Sequence, residues 1–122
     1  MIGYVTLGTN DFDKSAKFYD ALLAVCGASR LMDMGTFVLW GTSMDDAALA
    51  LAKPFDGEPA TVGNGVMVGI RATSKEQVDA IYNKAIELGG SDEGAAGPRG
   101  EGFYAGYFRD PEGNKLNVFY AG

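Results

Sequence analysis

The hydrophobic positions of this chain change period several times, and the changes mark its elements. From Ile2 to Gly8, Val5 and Leu7 alternate with Tyr4 and Thr6, the two-residue period of a half-buried strand. Thr9-Asn10-Asp11 then offers helix-capping side chains. From Phe12 the period lengthens: Phe12, Ala16, Tyr19, Leu22, Leu23 and Cys26 fall near one helical stripe, which Gly27 ends. Three short strands are expected next, over Ser29 to Met34, Thr36 to Trp40 and Ala47 to Lys53, with Gly41 to Asp46 as a turn region. Residues Pro54 to Asn64 carry Pro, Gly, Asn and Asp at loop density and read as a linker.

The same succession then returns. Gly65 to Arg71 is a strand pattern with Val66, Val68 and Ile70 on one face. Ser74 and Gln77 have the spacing of a capping box, and Val78, Ile81, Tyr82, Ala85 and Ile86 follow at helical spacing before Gly89-Gly90. Ser91 to Gly102 is Gly-rich and reads as a mobile loop with at most a short strand. The chain closes on a hairpin, Phe103 to Arg109 and Lys115 to Tyr120, around Asp110-Pro-Glu-Gly-Asn114. Asp110 suits the first position of a type I turn, Pro111 pre-sets φ at the second, and Gly113 can take the left-handed conformation that closes such a hairpin. In its second arm Leu116 and Val118 alternate with Lys115, Asn117 and Phe119, so one face is apolar and the other mixed.

A shift of 63 residues lays Tyr4 on Met67, Val5 on Val68, Leu7 on Ile70, Tyr19 on Tyr82 and Gly27 on Gly90. Identities are few; the agreement in strand parity and helix start indicates an internal repeat. The predicted architecture is α+β: two tandem βαβββ units in one domain of residues 1–122. Unit one spans 1–53, the linker 54–64 and unit two 65–122. A half of this size buries too little alone, so the sheets are expected to pair as a curved mixed sheet around a cleft, with helices outside. The inward positions would be Tyr4, Thr6, Val38, Trp40, Ala48, Ala50, Met67, Gly69, Lys115, Asn117 and Phe119. The recurring aromatics Phe18, Tyr19 and Tyr82 read as core.

Composition narrows the function classes. A net charge of −6 opposes nucleic acid and anionic membrane surfaces, which need clustered Lys and Arg; an acidic rim would suit a cationic ligand. Cys26 is the sole cysteine, so no intrachain disulfide forms, and it reads as a small buried residue. With no leader-like segment and no apolar run of membrane-span length, the chain reads as cytoplasmic. Histidine is absent, which removes the commonest general base, the Ser-His and Cys-His pairs and every His-based metal site.

The paired units, the run Tyr4-Val-Thr-Leu-Gly-Thr-Asn-Asp-Phe-Asp-Lys-Ser-Ala-Lys-Phe-Tyr19, the segment Gly63-Asn-Gly-Val-Met67 and the turn Asp110-Pro-Glu-Gly-Asn-Lys-Leu-Asn117 resemble the vicinal oxygen chelate superfamily, which includes glyoxalase I, bleomycin-resistance proteins and extradiol dioxygenases. The resemblance covers essentially the whole chain. It implies a divalent-metal site on the first and last strands of each unit, usually built from His and Glu. Those positions fall here on Tyr4, Ala50, Met67 and Asn117, none of them a usual ligand for a hard or borderline divalent ion. No metal or other cofactor is therefore expected. The resemblance also implies a homodimer, with the cleft either within one chain or between exchanged halves.

Three readings of function compete. The first is a metal-free protein of the bleomycin-resistance type that binds a small organic molecule through Tyr4, Trp40, Met67, Tyr107, Asn117 and Phe119. The second is a glyoxalase-like lyase or isomerase, with a displaced metal site or with metal-free acid–base catalysis by Tyr4 or by Glu101 on a Gly-flanked lid. The third is a scaffold without ligand, its cleft filled by its own side chains. Arg71, Arg109 and Lys115, at strand ends, can meet a carboxylate or phosphate or can simply be solvated rim charges.

Overall fold

A computed structural model describes residues 1–122, which form two compact units, Met1–Gly63 and Asn64–Gly122. Unit 1 contains β1 (Tyr4–Gly8), α1 (Phe12–Ala24), β2 (Ser29–Asp33), β3 (Phe37–Gly41) and β4 (Ala48–Ala52). Unit 2 contains β5 (Val68–Arg71), α2 (Lys75–Glu87), β6 (Ser91–Pro98), β7 (Phe103–Arg109) and β8 (Lys115–Ala121). The fold is α+β with two tandem βαβββ units. Each has an open four-stranded mixed sheet of its own, ordered β1-β4-β3-β2 and β5-β8-β7-β6, with the first and last strands of each unit parallel. The repeat shift is reproduced by the helices: 63 residues separate Phe12 from Lys75 and Ala24 from Glu87.

Local chemistry starts each helix. Asp11 caps α1 by accepting from the Lys14 amide at 3.3 Å, and Thr9 Oγ1 lies 2.8 Å from Ser15 Oγ in the buried first turn. Ser74 caps α2 through the Gln77 amide at 3.1 Å. The return bond from Gln77 Oε1 goes one residue further back than a capping box requires, to the Thr73 amide at 2.7 Å. Gly27 (φ 78°) follows α1 in the left-handed conformation. After α2 that role falls to Gly89 (φ 98°) rather than to Gly90, the repeat partner of Gly27. Gly90 serves close approach instead: a Cβ there would lie 2.7 Å from the Arg109 carbonyl and 2.8 Å from that of Ala85.

Each sheet packs one face on its own helix. In unit 1, Leu7, Val38, Trp40, Leu49 and Leu51 are buried with Phe18, Tyr19, Leu22 and Leu23 of α1. In unit 2, Leu116, Val118 and Phe108 are buried with Val78, Ile81 and Ala85 of α2. Burying one such side chain fully stabilises the fold by ~1.5–3 kcal/mol relative to leaving it in water.

One expected loop is a strand. Ser91–Pro98 forms β6 along β7 instead of a mobile segment. Its Ser-Asp-Glu-Gly-Ala-Ala-Gly-Pro composition hides it, because β6 is an edge strand with little apolar surface to bury. Register shifts between Asp92 and Gly97 let its glycines bulge, and Asp92 holds the bulge by accepting from the Gly94 amide at 2.8 Å and from Tyr82 Oη at 2.7 Å. The closing turn forms as expected. The Gly113 amide donates to the Asp110 carbonyl at 2.9 Å, Gly113 has φ 101°, and Asp110 Oδ1 accepts from the Glu112 and Asn114 amides. No helix is long and apolar enough to cross a membrane.

Candidate functional site

The strand faces turned away from the helices carry the accessible chemistry, and they differ between units. In unit 1 the register places Tyr4, Thr6 and Gly8 beside Ala48, Ala50 and Ala52, and these beside Leu39 and Phe37. This face has no charged side chain on β1, β3 or β4. Tyr4 is 57 % exposed and meets Phe37 edge-on at 6.2 Å between ring centroids. Beside it lies a cavity of about 590 Å³ bordered by Thr6, Gly8, Phe37, Lys53, Phe55 and Ala60. Asn10 fastens the outer wall: its Nδ2 donates to the Ala60 carbonyl at 3.1 Å and its Oδ1 accepts from the Ala60 amide at 2.7 Å. Neither the cavity nor the role of Asn10 was legible in sequence, where residues 54–64 read only as linker. None of the six expected ligand contacts lines this cavity.

In unit 2 the corresponding face brings Gly69 and Arg71 of β5 beside Asn117 and Phe119 of β8, and these beside Tyr107 and Ala105 of β7; Lys115 pairs with Arg109 further along. Three expected ligand contacts, Tyr107, Asn117 and Phe119, therefore share one sheet face. The Arg71 guanidinium lies 5.8 Å from the Phe119 ring centroid, and the Phe103 ring stacks on Phe119 with 5.5 Å between centroids. Arg99 and Lys115 lie 5.4 and 5.9 Å from the Tyr107 centroid. Arg109 pairs with Glu93, whose carboxyl is held below its ordinary pKa by that hydrogen bond and, more weakly, by the charge of Lys115. The face is thus basic, and it carries Arg71, Arg109 and Lys115, the strand-end cations that the sequence offered for a carboxylate or phosphate.

Other expected site residues lie elsewhere. Trp40 is not on the Tyr4 face. It pairs with Leu49 on the helix side, is 1 % exposed, packs 5.7 Å from the Tyr19 ring and donates through Nε1 to Asp20 at 2.9 Å. Val38 is likewise on the helix side. Phe37-Val-Leu-Trp40 is apolar at every position, so no alternation assigned its faces, and the register with β4 decides. Asp20 also receives Arg30 at 2.8 Å, and Arg30, then burial opposing it, then Trp40 set its net lowered pKa. Met67 precedes β5 and is 45 % exposed. Glu101 is an exposed residue of the tight turn joining β6 to β7, where the Arg99 amide donates to the Phe103 carbonyl at 2.7 Å. Paired strands on both sides replace the expected lid. Burial raises the Cys26 thiol pKa, which keeps it a poor nucleophile.

The duplicated βαβββ unit, with its parallel outer pair and its chemistry on the face away from the helix, is the architecture of the glyoxalase class. The sequence profile of the Glyoxalase/Bleomycin resistance protein/Dioxygenase superfamily matches residues 1–118. The chain belongs to that superfamily. It is similar to a glyoxalase/bleomycin resistance protein from Albidiferax ferrireducens, at 35 % identity and a TM-score of 0.92, covering 100 % of this chain and 99 % of that one. A lactoylglutathione lyase from Agrobacterium tumefaciens is similar at 25 % identity and a TM-score of 0.70, covering 98 % and 92 %. A glyoxalase/bleomycin resistance protein/dioxygenase family enzyme from Burkholderia phytofirmans shares the fold at 20 % identity and a TM-score of 0.78, covering 98 % and 97 %. Comparison with functionally curated proteins gives no match.

The family's metal positions can be tested against the side chains present. Tyr4 and Ala50 sit diagonally on adjacent strands of one sheet, and Met67, just before β5, and Asn117 on β8 stand two residues apart in the same offset. They offer a phenol, a methyl, a thioether and a carboxamide. That donor set does not fit a hard or borderline divalent ion, and no cluster of three His, Cys, Asp or Glu side chains stands in for it.

Proposed function

We propose that this chain is a metal-free member of its superfamily that binds a small organic molecule on the strand face of unit 2. One observation carries the reading: Tyr107, Asn117 and Phe119 stand on neighbouring strands of one face, two rings flanking a carboxamide. Flat apolar surface with a few placed polar groups is what a small-molecule site needs. Met67, just before β5, is a further contact of the proposed site; Tyr4, on the sheet of unit 1, and Trp40, turned to the helix side, are left out of it. The competing lyase or isomerase reading has the similarity to the Agrobacterium enzyme in its favour. Of the two acid–base groups it invokes, Glu101 lies in an exposed turn and Tyr4 is an exposed ring on β1, so neither is held in the unit 2 face.

We further propose that the protein works as a cytoplasmic homodimer. Unit 1 exposes Ile2, Tyr4 and Phe55, and unit 2 exposes Val66 and Met67, apolar side chains suited to a contact between copies.

Native mass spectrometry tests these proposals together. Protein grown in rich medium is expected as a dimer without stoichiometric metal, unchanged by added nickel, zinc, manganese or iron(II). A stoichiometric metal with metal-dependent lyase turnover would overturn the metal-free reading, and a monomer at all concentrations would overturn the dimer.

A further inference from the structure

The strand face of unit 2 contains a notch with an unusual combination of groups. Its floor is Gly69. Gly69 is exposed, and a Cβ at that position would lie 2.9 Å from Asn117 Oδ1 and 3.5 Å from the Phe119 ring, so glycine lets the Asn117 carboxamide and the ring edge lean over β5. Asn117 forms one wall. It is 4 % exposed, yet its carboxamide has no hydrogen-bond partner within the chain. Every fully enclosed side-chain polar atom in the protein has a partner, so the small exposure that Asn117 retains lies at the amide itself. An amide this confined has room for little water and no protein partner, so its hydrogen-bonding capacity is left largely unused. Such a group points to a ligand that completes it. A half-turn of the carboxamide presents either oxygen or the NH2 donor to the notch.

The charge around the notch selects the ligand. Arg71, two residues beyond Gly69 on the same strand and face, lies over the Phe119 ring and has no carboxylate partner. The ion pairs of the chain, Arg30 with Asp20 and Asp33, Lys84 with Glu87 and Arg109 with Glu93, all omit Arg71, Arg99 and Lys115. Arg99 gives its guanidinium to the carbonyls of Ala95, Gly97 and Pro98, which leaves Arg71 and Lys115 as the uncommitted cations of this face. The guanidinium's position over Phe119 leaves its N–H groups free for a planar acceptor.

We propose that the Gly69 notch binds the oxyanion of a small organic molecule, with Arg71 pairing its charge, Asn117 donating through Nδ2 and the edge of the Phe119 ring bordering the adjoining flat body. Lys115 adds longer-range attraction. The proposal rests on reading this face as a ligand site, and it adds the charge class of the ligand.

The test uses the full-length protein and calorimetric titration with benzoate, phenyl phosphate and the neutral isostere benzamide. Benzoate or phenyl phosphate should bind and benzamide should bind at least about tenfold more weakly, the scale of one charge-assisted hydrogen bond. The preferred anion tells carboxylate from phosphate recognition. Arg71→Gln, at an exposed position, should lose about tenfold in affinity for the anion and little for benzamide. Lys84→Gln on α2 removes the same charge away from the notch and should change neither. Equal loss in the Lys84 and Arg71 variants would overturn the proposal, because net charge alone would then explain binding. Benzamide bound as tightly as benzoate, with Asn117→Ala abolishing both, would refute the oxyanion and leave the binding site standing. No binding of any probe, with none in a broader thermal-shift screen of neutral and cationic compounds, would defeat both.

Discussion

The two sheets of this protein have the same strand order and the same parallel outer pair, yet their two faces diverge in different ways. The helix-facing sides are interchangeable in kind: Leu49 and Leu51 over α1 match Leu116 and Val118 over α2. The opposite sides are not. Unit 1 offers alanines, Thr6 and aromatic edges with no charge on β1, β3 or β4, whereas the strands of unit 2 offer Arg71, Lys115, Asn117 and rings. Packing against a helix requires only apolar volume, so duplication preserves it. The other face has no such requirement, and its chemistry is free to follow a ligand. The repeat thus separates what the fold needs from what function uses.

If that separation is right, core truncations in the two units should cost the same. Leu51→Ala and Leu116→Ala each remove a side chain with no exposed surface and should each destabilise by ~2–5 kcal/mol in urea unfolding. A near-neutral result in either unit would break the equivalence of the helix-facing sides.

How much of this was legible in sequence follows the same division. Where burial imposes a period, the chain can be read: β1, α1, α2 and β8 lie within a few residues of expectation, and the Asp110–Asn114 turn forms with the predicted left-handed Gly113. Where burial imposes none, reading failed. The uniformly apolar β3 concealed which way Trp40 points, and the polar, glycine-rich β6 concealed a strand. The candidate site was legible as far as Tyr107, Asn117 and Phe119 sharing a face, because alternation along a hairpin fixes parity. That Gly69 opens a notch beside Asn117 and that Arg71 stacks over Phe119 depend on cross-strand register, which one sequence does not carry.

Trp40 and Asn117 sharpen the contrast, since each puts a polar atom in a confined place, one partnered and one not. Asp20→Ala strands the Trp40 N–H and should cost ~1–3 kcal/mol, while the exposed Arg30 pairing adds little. Asp20 titrates low in the fold, so its contribution is present above the ordinary carboxylate pKa and fades as pH falls through the lowered value. The stability difference between wild type and the variant should therefore shrink in acid, measured by urea midpoints across pH.

Asn117→Leu should act in the opposite sense. Removing an unpartnered amide from a site that is 4 % exposed should raise stability by ~1 kcal/mol while abolishing benzoate binding. Its counterpart Ala50→Asn places an amide at a fully buried position of unit 1 and should lower stability by ~1–3 kcal/mol. If Asn117→Leu proves destabilising, the amide is structural and the functional contrast between the faces weakens.

The smallest effect tests the field of the face rather than its contacts. Glu93 neutralises Arg109 at the rim, and Lys115 also feels its charge. Glu93→Gln should leave the fold intact and tighten benzoate binding about two- to fivefold at low salt, because an exposed charge acts over roughly a Debye length. Raising the ionic strength should remove most of that gain and leave the larger Arg71 effect in place, since a direct, partly desolvated pair is screened less. A gain that survives high salt would mean that Glu93 blocks the site sterically, and the basic character of unit 2 would then count for less than its shape.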